Sequence, residues 1–496
     1  MIRDLVFDVL VIGSGGGGCA AAISAARNGA SVALVSKDTT GVGNTRISDV
    51  TMTTSGVLDG DLPEVLKRDM LKGGEYLNCL ELVDLVSQNA SSAVHFLEGL
   101  GHFFLRDEEG ALSGKQANRL GGHSFPRSFY SAGSGVSVAH ALRNVVAATE
   151  SISEFEDAVA VSLLMEKDEA GGVLAVDLKR SDYLVLKGKA VILATGGCGW
   201  LYYPHTTNIS SVTGDGYALA YEAGAEMVDM EMVQFFPFAM NHPTRFAGSI
   251  LGEPLLAGPK GKLINGLGEV VADRDINRLT RAQVTALMAR EIIEGRATKW
   301  GGLKLDLSEN LNVPEMAEYK RVQDFRGRWE KVRQGYGEVA FQWKEPWDVS
   351  PSAHYMMGGV KINAQGRSSL KNLYAVGETA GGTMGANRLG SSSIADIFVT
   401  GMAAGEDAAR SAAESAHKAL SKALVSREVD NVERLFGKEG TKRPITIKRE
   451  LQKLMMEKAS IARDDKRLTQ ALSEIDRMED EVEKEIALSP IRRYNS

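Results

Sequence analysis

Gly13-x-Gly15-x-x-Gly18 is the first arrangement along the chain that can do chemistry. It stands between an apolar run, Val9-Leu10-Val11-Ile12, and an alanine-rich stretch over 19–27, the strand–turn–helix context that gives the spacing meaning. Gly13 permits a tight turn, Gly15 lets backbone approach a pyrophosphate, and Gly18 lets helix and strand pack closely. The helix N-terminus then offers amide donors to phosphate oxygens. This reads as a dinucleotide site. The second strand, over 31–35, ends on Ser36-Lys37, where a ribose-binding acid usually stands. Ser36 can still bond a ribose hydroxyl, but a nicotinamide assignment gains nothing here. Two further glycine turns, Ala194-Thr195-Gly196-Gly197 and Thr213-Gly214-Asp215-Gly216, follow an apolar run over 190–193. Gly377-Glu378 follows another over 373–376 and brings a carboxylate suited to a ribose hydroxyl.

The elements that must position these residues are those of an α/β protein. Short continuous apolar runs read as parallel strands buried on both faces. Strands over 158–164, 172–180 and 182–186 read as a meander. From 237 to 347 prolines, glycines and scattered charges replace the buried strands, and the first texture returns near 373. The expected organisation is a Rossmann-like dinucleotide-binding domain over 1–236 and 348–410, an inserted α+β domain over 237–347, and a helical C-terminal region over 411–496. Leu468, Leu472, Ile475, Met478, Val482 and Ile486 give that last region an amphipathic stripe.

Composition sets the outer limits. Glycine is 53 of 496 residues, about 11% against an average near 7%, without the period of collagen. Net charge is −7, which argues against a protein working mainly on nucleic acid. No apolar run reaches membrane-spanning length, and the first residues lack a signal peptide's basic region. A cytoplasmic protein follows as the expectation, with peripheral membrane attachment only through a partner. Cys19, Cys79 and Cys198 form no cluster or haem motif and read as reduced, structural thiols.

Taken together, the glycine clusters and several longer motifs resemble the flavoprotein family of fumarate reductase, succinate dehydrogenase and L-aspartate oxidase. Besides those above, the carrying segments are Leu71-Lys72-Gly73-Gly74, Gly121-Gly122-His123-Ser124, and Met230-Glu231-Met232-Val233-Gln234-Phe235. Ala353-His354-Tyr355-Met356-Met357-Gly358-Gly359 and Gly385-Ala386-Asn387-Arg388-Leu389-Gly390-Ser391 complete the set in family order. The resemblance implies FAD, held by Gly13, Gly15, Gly16, Gly18, Ser36, Lys37, Gly43, Asn44, Thr45 and Ala158. It adds Ala194, Thr195, Gly196, Asp215, Tyr355, Glu378, Arg388, Ser393 and Ile394. Some members bond the flavin to a histidine in the loop after the second strand. That position is Asn44 here, so noncovalent FAD is expected. The implied reaction interconverts a carbon–carbon single and double bond beside a carboxylate. Arg388 matches the carboxylate clamp and His354 its partner. Arg281 matches a proton-donating arginine, with Glu291 ten residues on, and Glu253 matches a relay carboxylate.

The departures sit in the substrate pocket. A substrate-gripping histidine becomes Phe236, and a threonine donor becomes Gly252. The second relay arginine falls on Leu256, and the acid following the proton-donating arginine is Ala282. One clamp survives while donors for a second carboxylate are gone, and leaving that charge unpaired costs several kcal/mol. The expected substrate is therefore a small carboxylate that is not a simple dicarboxylate. The alternatives are an amino-acid oxidase resembling L-aspartate oxidase, and a flavin-bearing electron-transfer subunit without substrate chemistry. An iron–sulfur or other electron-transfer subunit is the expected partner, because no cluster motif lies in this chain. The chain stops at Ser496, just past Arg493-Tyr494-Asn495, a segment beyond which quinone-linked members continue, so a truncated or naturally short C-terminus is expected.

Overall fold

The structure, a computed structural model, describes residues 2–49, 51–112, 117–118, 120–273, 275–325, 327–436 and 440–489. Arg493, Tyr494 and Asn495 lie outside these. Five parallel strands form the central sheet: β1 (Val9–Ile12), β2 (Val32–Val35), β3 (Ile152–Phe155), β4 (Ala190–Leu193) and β5 (Leu373–Ala375). Their spatial order is 3-2-1-4-5, the doubly wound arrangement in which ligands bind beyond the carboxyl ends of the strands, where the order reverses. β1, β2, β4 and β5 are buried throughout, which is why they read as continuous apolar runs.

Helix α1 (Gly16–Arg27) packs on this sheet. An ideal Cβ on Gly18 would stand 1.8 Å from the Gly13 carbonyl oxygen, and one on Gly13 would stand 2.3 Å from that of Ala194. Gly13 also holds φ at +106°, a region open chiefly to glycine. The close approach expected of Gly13 and Gly18 is thus present in the backbone. On one side lies a four-stranded sheet of the expected meander, Ala158–Glu166, Glu169–Asp177 and Asp182–Lys187. It gains a strand that no sequence pattern marked, Ile2–Val6, parallel to Asp182–Lys187.

Two long strands, Val233–Met240 and Trp347–Met356, pair antiparallel and carry the chain into and out of the inserted stretch. That stretch is more regular than its composition suggested. These two strands join four short ones in a six-stranded sheet, covered by helix α2 (Arg281–Ile293). A separate apolar cluster from Phe238 to Val349, centred on Trp329, Trp343 and Trp347, fills this unit. After the long helix Ser392–Ala413, three more helices follow: Lys422–Phe436, Pro444–Lys458 and Asp465–Glu485. In the last, Ile475, Met478 and Val482 pack as a stripe, while Leu468 and Leu472 are exposed and Ile486 lies past the helix end. Among the described residues no helix is long and apolar enough to cross a membrane, and all three cysteines are unpaired.

The contact at Gly18 fixes a stability outcome. Gly18→Ala forces helix α1 off the glycine turn and lowers unfolding free energy by about 2–3 kcal/mol, read from denaturant melts at constant m-value.

Candidate active site

A cleft of about 900 Å³, its open mouth included, lies at the carboxyl ends of β1, β2 and β4. Gly13, Gly15 and Gly16 form its floor, Ser36, Lys37 and Ala158 one wall, and Ala194, Thr195, Gly196 and Asp215 another. Gly43, Asn44 and Thr45 close one end, with Glu378. A Cβ added at Gly15 would meet no protein atom within 4 Å, so the backbone there faces open space. Helix α1 begins there with no acidic residue in its first turn and no side chain on its N-cap Gly15, and its Gly16 amide is taken, donating to Thr45 Oγ1 at 3.3 Å. The helix end and the open cradle beside Gly15 suit a pyrophosphate.

The walls carry polar groups of the right kind. Ser14 Oγ donates to Ser36 Oγ at 2.8 Å. Lys37 Nζ is tied to Thr213 Oγ1 at 2.7 Å and Asp215 Oδ2 at 2.6 Å, so it braces the wall as half of an ion pair. Glu378 Oε1 accepts from the Met356 amide at 2.9 Å, and burial pushes its carboxyl up to about 7. The Asn44 carboxamide donates to Asn208 Oδ1 at 2.8 Å and accepts from the Ile209 amide at 3.1 Å. None of the residues lining the cleft is His, Cys or Tyr. Gly18 works behind the cleft rather than in its lining. Tyr355, Arg388, Ser393 and Ile394 also fall outside the lining; the first three belong to a second cluster, while Ile394 packs in the main apolar core. Gly377, singled out in the sequence with Glu378, also lines the cleft; Val42, Ser211 and Ile397 line it unforeseen and carried no local signal.

That second cluster forms where the two long strands cross. Gln234 pairs with Tyr355 in register, and Phe236, two residues on, points to the same face. Arg281 Nη1 donates to Gln234 Oε1 at 2.8 Å, and Arg388 Nη2 donates to the same oxygen at 3.2 Å. The amide's Nε2 donates to Asn387 Oδ1 at 2.7 Å and to the Arg388 carbonyl at 2.8 Å. Arg281 is the first residue of α2, placed there by a capping box between Thr280 and Gln283. A cation at this positive helix end is disfavoured. Glu253 offsets it, accepting from Arg281 Nε at 2.9 Å and from Nη2. Burial alone would raise the Glu253 carboxyl, but Arg281, with Arg388 and Arg328 farther off, holds it below its usual range.

Arg388 is buried, its guanidinium 4.8 Å above the Tyr355 ring, with Nη1 donating to Ser393 Oγ at 2.9 Å. Its Nε has no partner. Burial and the neighbouring Arg281 bring it down to about 10, so it stays cationic at neutral pH. His354 Nδ1 meets Thr207 Oγ1 at 2.8 Å. Burial, then Arg388 and Arg281, hold His354 well below its ordinary value, which leaves a neutral imidazole. Phe236 lies 4.9 Å below the Arg281 guanidinium and 5.3 Å from the His354 ring. A Cβ on Gly252 would come within 2.9 Å of the Leu256 side chain. Ala282 is exposed. Glu291 does not reach Arg281: it pairs with Arg296 at 2.6 Å and accepts from Asn265 at 3.0 Å. Ten residues along a helix are about 15 Å, which is why the sequence spacing made no contact.

Residues 8–394 match a family profile described as an FAD binding domain. Over 482 residues the chain is 31% identical to the fumarate reductase flavoprotein subunit of Proteus vulgaris, covering 92% of this chain and 77% of that one. The chain belongs to the fumarate reductase and succinate dehydrogenase flavoprotein family. It is 33% identical over 413 residues to an L-aspartate oxidase of Halobacterium salinarum, covering 81% of this chain and 75% of that one. Among solved structures, Mycobacterium smegmatis Sdh1 in complex with UQ1 superposes with a TM-score of 0.88 at 26% identity, covering 99% of this flavoprotein and 83% of that chain. This flavoprotein is accordingly an FAD-dependent oxidoreductase acting on CH–CH groups.

Two outcomes follow for the cleft. With an amide at position 44 and no histidine, cysteine or tyrosine in the lining, acid precipitation should release all the FAD to the supernatant. Yellow colour left on the washed pellet would refute this. The second concerns Glu378, whose folded-state value near 7 lies above the ordinary 4.5. Its contribution to stability is full below about 4.5 and is lost as pH rises through about 7. In urea melts of cofactor-free protein from pH 5 to 8, wild type should lose up to about 3 kcal/mol relative to Glu378→Gln.

Proposed function

We propose that this flavoprotein interconverts a carbon–carbon single and double bond beside one carboxylate, in a substrate whose far end is not a second carboxylate. The observation that carries this is the shared Gln234 oxygen, which holds Arg281 and Arg388 close together above an otherwise aromatic and apolar floor. Bound FAD supplies the hydride chemistry. The protein's own groups bind, orient and move the proton. Arg388, with its unpartnered buried Nε, grips the carboxylate as a planar donor fork. His354, neutral and bonded to Thr207 through Nδ1, keeps Nε2 for the same carboxylate. Arg281, tied to Glu253, holds the proton exchanged with the substrate carbon, and the partly exposed Glu253 passes it toward water.

The far end meets Phe236 and the packed pair Gly252–Leu256. A threonine at 252 would collide with Leu256, so the lost donors form one coordinated packing change. The inserted unit, carrying Arg281 and Glu253, acts as a cap over the FAD-binding part. Electrons reach or leave the flavin through a separate protein, an iron–sulfur subunit being the proposed partner. The relatives named as subunits of fumarate reductase and succinate dehydrogenase support this.

With reduced viologen as donor, turnover of a short 2-enoate such as crotonate should exceed that of fumarate. Fumarate turnover equal to that of ordinary fumarate reductases would overturn the reading. Dicarboxylate activity should rise at least tenfold in the double variant Phe236→His with Leu256→Ala, and further when Gly252→Thr is added. Gly252→Thr alone should lower stability by about 1–3 kcal/mol, because Leu256 remains in its place.

A further inference from the structure

Two motifs of the sequence play no part in the reaction described above: Leu71-Lys72-Gly73-Gly74 and Gly121-Gly122-His123-Ser124. Both converge on the segment that carries Arg388. A Cβ on Gly73 would stand 2.5 Å, and one on Gly122 2.6 Å, from Leu389 Cδ2. Leu389 thus sits in a socket that only glycines leave open. Gly74 O accepts from the Ala386 amide at 3.0 Å, on the other side of Arg388.

His123 adds a directed bond. Its Nε2 lies 2.9 Å from the Gly390 carbonyl oxygen. A carbonyl can only accept, so Nε2 carries the hydrogen. Gly390 is two residues past Arg388 and directly before Ser391, which turns through φ +65° to start the helix Ser392–Ala413. Burial, with Arg127 nearby, brings His123 down to about 4, so the ring stays neutral at working pH.

Behind His123 stands a fully buried ion cluster. Arg127 donates to Asp61 through Nε at 2.9 Å and Nη2 at 2.5 Å, and to Asp69 through Nη1 at 2.6 Å. The same Nη1 lies 3.5 Å from His123 Nδ1. Asp69 also accepts from the Ser124 amide at 2.7 Å and from its hydroxyl at 2.6 Å. One cation with two carboxylates in a dry interior is expensive and adds little net stability. What it supplies here is position: it fixes the loop over 121–127 in place, and with it the imidazole.

We infer that His123, held by the Arg127–Asp61–Asp69 cluster, is a positioning residue for the carboxylate clamp, setting the turn from which Arg388 reaches the substrate. This rests on the reading of Arg388 as that clamp. His123 touches neither substrate nor cofactor; it acts through the Gly390 carbonyl.

The test uses FAD-loaded full-length protein with His123→Leu and His123→Gln. Glutamine can place an amide N–H at about the reach of Nε2, and leucine cannot. Two readings are taken: hydrogen exchange of the amides over 385–392, and the dissociation constants of crotonate and fumarate from the flavin difference spectrum. In His123→Leu, exchange over 385–392 should quicken while the rest of the chain and the FAD content stay as in wild type. Carboxylate affinity should fall about tenfold, the loss expected for one buried hydrogen bond, with KM rising and kcat changing less than about twofold. His123→Gln should restore both. Unchanged exchange in the leucine variant, or equal loss in both variants, would overturn the inference. If neither carboxylate perturbs the wild-type flavin, the substrate reading has failed, and local exchange alone decides the role of His123.

Discussion

Two like-charged guanidinium groups donate to one carbonyl oxygen, and much of the molecule exists to keep them there. Arg281 and Arg388 meet at Gln234 Oε1 inside a buried pocket, where their repulsion is poorly screened. Nothing about either arginine alone makes this stable. The Gln234 amide cannot turn, because its nitrogen is committed to Asn387 and the Arg388 carbonyl. Arg281 cannot leave, because the capping box fixes it at the start of α2 and Glu253 binds it at two points. Counting Glu253 against the pair, the site keeps one uncompensated positive charge. Such a preorganised positive site suits the single carboxylate proposed as the substrate's anchor.

The substitutions around this pair are consistent with one another. Phe236 gives the Arg281 guanidinium an aromatic face at 4.9 Å, which stabilises the cation without offering a donor to a second anion. Leu256 is fully buried and occupies the space a side chain at 252 would need. In the proposed reading each removes one grip on a far carboxylate, and Leu256 fills the room beside position 252.

What could be read from the sequence followed the range of the interactions. The glycine turn, the buried strands and α1 were legible because each depends on neighbours within a few residues. The resemblance supplied the Arg281, Glu253 and Arg388 set, which no spacing rule relates. The inserted sheet read as irregular because its strands are mostly three or four residues long and interrupted by glycine and proline. Ile2–Val6 went unseen because its exposure alternates along an edge. The reasons for Gly73 and Gly122 were out of reach, since both answer to Leu389, hundreds of residues away. The buried Arg127 cluster was equally hidden: three charged residues apart in sequence look like ordinary surface.

Asn44 shows how the two sites are joined. At this position a histidine would tether the flavin, but the asparagine spends both ends of its amide on the segment over 208–209. Asn208 then donates to the His354 carbonyl at 3.1 Å, and Thr207 meets the His354 ring at 2.8 Å. The loop that closes the cofactor cleft is therefore braced, through three polar side chains, against the His354 imidazole of the proposed substrate site. A covalent link at 44 would have consumed the side chain that makes this connection. The geometry is coherent with noncovalent FAD, as expected from Asn44: the cleft offers a backbone cradle and polar walls, and the Asn44 side chain keeps the cofactor loop and His354 in fixed relation. Registration of ring nitrogen, clamp and cofactor is what a reaction between bound groups requires, because small displacements there cost large factors in rate.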